Sequence, residues 1–295
     1  MIREVAVETK YGVTTITVSP EGQIDVSRMG GDDVMIPAPL GIWKMQLSHA
    51  EGNKVIRSGS GECGCYPFKL SEPRDESYVE NDTMHASSAS ELARNTCRFY
   101  TDLFLPEEIT RIVNFLVYHD RGEREDKTDD RPREGKFEEE LVEFAKNIQY
   151  LPAGVQYELI RDFIIFENAG DERWEPRDRE IMQFAKLCDK ADAPLSALIY
   201  EAQGRKGSLL YKQKHFEALT EQDMNYIDEI ETYDQADVWF AHMIDKYNSY
   251  DHLKIFIDII IEACIDVRGR NFFWLKKFLE RRNIFPETIL NTYGV

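Results

Sequence analysis

The sequence predicts an α+β protein: a small antiparallel β-rich N-terminal part followed by a larger, mostly α-helical part. Three observations predict it. β-branched residues cluster near the start, apolar residues recur at helical spacing from about residue 90, and prolines open successive helical stretches. The boundaries fall at 1–70 for the β-rich domain, 71–90 for a polar linker or arm, and 91–295 for the helical domain. With 295 residues, 42% of them hydrophobic and 12% aromatic, the chain has the apolar content for a real core.

The strands come first. Val5-Ala6-Val7 and Val13 to Val18 are rich in β-branched side chains, and Tyr11-Gly12 separates them as a hairpin turn would. Ser19-Pro20-Glu21-Gly22 is a turn signal before Gln23-Ile24-Asp25-Val26. Ile42 to Leu47 alternates apolar with polar, and Glu51-Gly52-Asn53 turns into Lys54-Val55-Ile56-Arg57. Together these predict a small antiparallel sheet or sandwich. Ser58 to Cys65 has a flexible composition, and Ser71 to Ser90 has few apolar anchors, as in a linker or an arm that orders on a partner.

The helices follow. Pro106-Glu107-Glu108 puts a proline and two acids in a first turn, where the helix dipole favours them. Ile109, Ile112, Val113 and Leu116 then line one face. His119 to Gly135 is charged and apolar-poor, which predicts a loop. Phe137, Leu141, Phe144 and Ala145 mark the next helix. Pro152, Pro176 and Pro194 each start another, and Thr220-Glu221-Gln222-Asp223 is a capping-box-like start. The last helices are predicted near 234–248, 251–267 and 271–282.

Charge is the strongest functional signal. The formal net charge is −18, from 54 acidic and 36 basic side chains. Residues 1–100 carry 14 acids and 10 bases, residues 101–266 carry 38 and 20, and residues 267–295 carry 2 and 6. The segment 101–266 alone therefore equals the whole imbalance. Such a field repels nucleic acid and attracts basic protein surface. The expectation is a non-enzymatic binding protein without direct nucleic-acid contact and without a membrane span. Its longest apolar run, Ile255 to Ile261, contains Asp258 and falls far short of the roughly 20 residues a span needs. The first residues lack a basic start and an apolar stretch, so a cytoplasmic, soluble protein is expected.

No motif asks for catalysis, a cofactor or a metal. Cys63-Gly64-Cys65 lacks the second close ligand pair of a zinc site; His85 and Cys97 are the nearest options. The competing reading is two thiols in a Gly-rich turn. Gly59-Ser60-Gly61 and Gly30-Gly31 precede no convincing helix and carry no phosphate-loop lysine. The six histidines are dispersed, and no Gly-x-Ser-x-Gly elbow is present. The acids Asp126, Asp129, Asp130, Glu138, Glu139 and Glu140 lie among Arg124, Lys127, Arg131 and Arg133, as in a solvated charged stretch. Asp126, Asp129, Asp130, Glu138 and Glu139 are the candidates for contacting a basic partner. Trp174, set among Asp171, Glu172 and Glu175, is the candidate interface anchor. The cationic end, Arg268 to Arg282, interleaves basic residues with Phe272, Phe273, Trp274 and Phe278. It reads as a final amphipathic helix, as a surface for the acidic middle of another copy, or as a nucleic-acid surface.

In chain length, strand-rich start through Val13–Val18 and Ile42–Leu47, hinge-like Ser58–Cys65 stretch and acidic helical remainder, the chain resembles the phage Gabija anti-defence proteins. The resemblance spans the whole chain, rests on no short motif, and carries no family residue onto a numbered position. It implies a homo-oligomeric inhibitor in the host bacterial cytoplasm. The implied partner is the host nuclease–helicase defence complex, whose DNA binding and cleavage it would block. The competing readings are a metal-dependent hydrolase using carboxylates of the helical half and a nucleic-acid-binding regulator working through 268–282.

Overall fold

In a computed structural model, residues 4–9, 12–27, 68–69, 82–122, 135–202, 206–207 and 235–268 are described. Contacts divide the chain into two compact units, Met1–Arg57 with Glu80–Lys186 and Ser58–Val79 with Leu187–Val295.

The first unit begins with an antiparallel sheet of β1 (Glu4–Thr9), β2 (Gly12–Val18) and β3 (Ile24–Ser27), in that order. Val5 faces Ile16 and Val7 faces Thr14 across the hairpin, while Ile16 faces Val26 across the second ladder. Side chains alternate between faces along a strand, so Val5, Val7, Thr14, Ile16 and Val18 all fall on the buried side. β1 packs against helix α3 (Lys136–Ile148). The turn between β2 and β3 is closed by the Ser19 hydroxyl, which accepts from the amides of Glu21 and Gln23. Gly22 sits there at φ +88°, with Arg173 O only 2.9 Å from where a Cβ would stand. Both facts demand glycine.

Helix α1 (Asp82–Phe99) and α2 (Pro106–Tyr118) follow as consecutive, mutually packed helices. Pro106 occupies the first turn of α2, where its missing N–H costs nothing, and Glu108 accepts from the Leu105 amide at 2.8 Å. Ile112, Val113, Phe115 and Leu116 are buried, three of them as the spacing predicted, while Ile109 is half-buried. Helix α3 buries Leu141, Phe144, Ala145 and Ile148. Helix α4 (Ala153–Glu167) starts just after Pro152 and buries Ile160, Phe163, Ile164, Ile165 and Phe166. Phe144 stacks on Phe163 at 4.7 Å between centroids, tying α3 to α4.

Helix α5 (Pro176–Ala202) begins in the first unit and ends in the second. In the second unit, its buried residues Leu187, Cys188, Ala191, Ala197 and Leu198 make a continuous apolar side. Helices α6 (Gln235–Tyr247) and α7 (Leu253–Arg268) pack together, burying Phe240, Met243 and Ile244 with Phe256, Ile257, Ile260 and Ile261. A two-residue ladder pairs β4 (Phe68–Lys69) with β5 (Lys206–Gly207).

The expected class, a β-rich start followed by a mostly helical remainder, is what the structure has. Three local expectations need correction. Pro194 does not start a helix but lies inside α5. Its φ suits a helix, and burial of both flanking segments carries the helix past the lost N–H. The stretch 71–90, expected as a linker or arm, is helical from Asp82 onward. Ala86, Ala89, Ala93 and Cys97 give it a buried side built from small residues, an apolar stripe too slight to stand out in a polar sequence. The loop expected from His119 begins instead with a 3-10 turn, His119–Gly122, in which His119, Arg121 and Gly122 are buried. Strands at 42–47 and 54–57, the 58–65 stretch and helices from Thr220 and at 271–282 lie outside the described residues. Among the described residues, no helix is long and apolar enough to cross a membrane.

Candidate functional site

Of the residues singled out for partner contact, Asp126, Asp129 and Asp130 lie outside the described residues. Glu138 and Glu139 fall in the first turn of α3, where the dipole favours negative charge. Glu139 is exposed and Glu138 half-buried. Trp174 is 4% exposed and works inside the first unit. Its indole Nε1 donates to Asn168 O at 3.0 Å, and its ring edge lies 3.3 Å from the Cβ position of Gly22. Its neighbour Arg173 donates to Ser19 O and Pro20 O and pairs with Asp171 at 2.6 Å. This segment therefore docks the β2–β3 turn, and tryptophan's large apolar area serves the fold. Among the described residues, Phe99 is a large aromatic left on the outside, at 81% exposure. The sequence reading missed it because Phe99 ends a helix that was not expected to start at Asp82.

Val18, Phe137, Ile164 and Trp174, with Glu138 and Arg173, line a cavity of about 180 Å³ in the first unit. Pockets for sizeable ligands run to about 300 Å³ and above. The joint between sheet and helices is thus a packing gap rather than a substrate pocket.

Among the described residues, two of the polar clusters in the same unit bring together side chains distant in sequence. In one, Arg111 of α2 meets Asp162 of α4. Arg111 Nε donates to both Asp162 oxygens, at 3.1 and 3.0 Å, and Nη2 donates to Oδ1 at 2.5 Å. Arg111 Nη1 also reaches Asp178 of α5 at 2.6 Å, and Arg161 joins Asp178. Burial pushes the Asp162 carboxyl up, and the Arg111 guanidinium pulls against it. One arginine thereby ties three helices.

The second cluster is His85, His119 and Asp120. A six-residue connection joins α1 to α2, so the start of α1 returns beside the end of α2. His85 lies in the first turn of α1, and His119 directly follows α2. Their rings are 5.3 Å apart between centroids. His85 Nε2 is 3.4 Å from Asp120 Oδ2, and His119 Nε2 is 3.1 Å from Asp120 Oδ1. One ligand atom from each of the three residues lies within 4.8 Å of the others. His119 Nδ1 donates to Leu116 O at 2.8 Å, since a carbonyl oxygen only accepts. Phe115 and Phe166 flank the His119 ring at 6.3 and 5.8 Å. The 3-10 turn carrying these residues is pinned on α3. Asn147 Nδ2 donates to Arg121 O at 2.5 Å, and a Cβ on Gly122 would stand 2.5 Å from Glu140 O.

In the sequence His85 stands near only Cys63, Cys65 and Cys97 as possible co-ligands. Cys97 is a buried free thiol, and burial pushes it up to about 11, far from a ready thiolate. Cys63 and Cys65 lie outside the described residues. His119 and Asp120 carried no motif, because their partner is 34 positions away. Comparison of the chain with protein-family models, with curated proteins and with solved structures finds no match.

Proposed function

We propose that the chain is a non-enzymatic inhibitor that binds a basic surface of a nuclease–helicase defence complex. Binding there blocks the complex's access to DNA and hence its cleavage of DNA. The observation that carries this reading is the net charge of −18 within residues 101–266, against −4 and +4 in the flanking segments. A DNA-binding face is basic, so an acidic protein is steered to it and competes with DNA for it. The resemblance to the phage anti-defence proteins supplies the partner's identity. As that resemblance implies, the inhibitor acts in the host bacterial cytoplasm as a homo-oligomer.

Charge sets the rate of encounter, and affinity comes from a few buried anchors. Exposed Phe99 suits that part, and Glu139 suits the steering. The test is a pull-down of the purified defence complex by this chain, with a nuclease assay on the same samples. Capture together with loss of DNA cleavage is the expected result. No capture, with cleavage unaffected, sinks the reading. The competing hydrolase is separated by alanine changes at Asp129, Asp130 and Glu138, which would abolish a metal-dependent activity but only slow association of an inhibitor.

A further inference from the structure

We propose that His85, His119 and Asp120 form a binding site for one divalent first-row metal ion, with zinc as the probe. Two imidazoles and a carboxylate are a donor set that such ions take, and they leave room for water to complete the shell. The distances suit it. Donors about 2.0–2.2 Å from a tetrahedral ion sit about 3.3–3.6 Å apart. The two imidazole–carboxylate separations, to different oxygens of Asp120, are 3.4 and 3.1 Å, and the three donors all lie within 4.8 Å of one another, so a small adjustment of the carboxylate seats one ion.

The hydrogen bonding points the same way. His119 donates from Nδ1 to Leu116 O, so Nε2 is the ring nitrogen turned toward Asp120. A backbone carbonyl holding the far nitrogen is also how metal-bound histidines are usually oriented. Both imidazoles are 4% exposed, and Phe115 and Phe166 shield one of them. Such a shell limits competition from bulk water. Bound metal would clip the start of α1 to the 3-10 turn after α2, joining segments that the sequence holds 34 positions apart.

The experiment uses the untagged full-length chain, stripped with chelator and dialysed against zinc, with bound metal measured per chain. About one zinc per chain is expected. His85→Gln, His119→Gln and Asp120→Asn should each lower it at least about tenfold, while a Cys63→Ser, Cys65→Ser double variant keeps it. Circular dichroism reports whether each variant is folded. Should an imidazole variant fail to fold, the near-isosteric Asp120→Asn and the wild-type cobalt spectrum decide. That spectrum should show ligand-field bands without a thiolate charge-transfer band. Failure of the chain to retain zinc overturns the proposal. So does zinc retained in folded Asp120→Asn, or zinc lost with the two cysteines.

Discussion

At Asp162 the carboxylate meets a guanidinium from a neighbouring helix; at Asp120 it meets two imidazoles. Both aspartates sit in the same unit, beside α2, and both depend on a residue distant in sequence. Arg111 carries its charge at every accessible pH and forks onto the carboxylate, so the chain itself completes that cluster. At Asp120 the facing groups are imidazoles, which serve as metal ligands as well as hydrogen-bond partners. The contrast separates a polar cluster that fastens the fold from one that can take up a ligand.

The largest expected effect is at the self-sufficient cluster. Arg111→Met leaves Asp162 buried without its partner and should cost about 3 kcal/mol in urea denaturation. The double variant Arg111→Met, Asp162→Leu should recover much of that loss. An equal loss in the double variant would mean that side-chain packing, not charge, is what Arg111 supplies. Trp174→Ala should cost about 3 kcal/mol as well, by opening the joint under the β2–β3 turn. Its melting curve should shift, with no separate loss of partner affinity in the folded fraction.

At the second cluster the backbone is the point of attack. Gly122→Ala drives a Cβ toward Glu140 O and should cost about 1–3 kcal/mol. It should also lower bound zinc, because the 3-10 turn presents two of the three ligands. Zinc content unchanged in a destabilised Gly122→Ala protein would uncouple the turn from the site. Phe99→Ala touches neither cluster. It should leave stability within about 0.5 kcal/mol and weaken partner binding about tenfold or more, read by titration against the defence complex.

The smallest effect is at the exposed margin of the first cluster. The Arg177 side chain, hydrogen-bonded to Glu108, holds that carboxyl below its ordinary 4.5. The contribution is therefore complete above about pH 4.5 and fades as pH falls through the lower folded value. Glu108→Gln should cost about 0.5–1 kcal/mol at pH 7 and flatten the acid limb of the stability curve.

How much of this was legible depended on range in sequence. The β1–β2 hairpin follows from β-branched runs around Gly12, and α2 follows from Pro106, two acids and a 3–4 apolar spacing. These signals are local. Helix α1 hides because its buried face is Ala86, Ala89, Ala93 and Cys97, which add little hydropathy. Pro194 misleads because local propensity says start while the packing of Ala191, Ala197 and Leu198 says continue. Trp174 drew attention for its acidic neighbours, yet Asp171 is bound to Arg173, and the indole is turned onto Asn168 and Gly22. The His85–His119–Asp120 cluster exists only once two helices are folded back on each other, so no spacing rule announces it.

Zinc-edge anomalous diffraction from crystals of the full chain grown with zinc tests the contrast most directly. The account predicts a single strong anomalous peak bounded by His85 Nε2, His119 Nε2 and the Asp120 carboxylate, and none beside Asp162. No peak at His85 and His119, or a peak held by other residues, would contradict it.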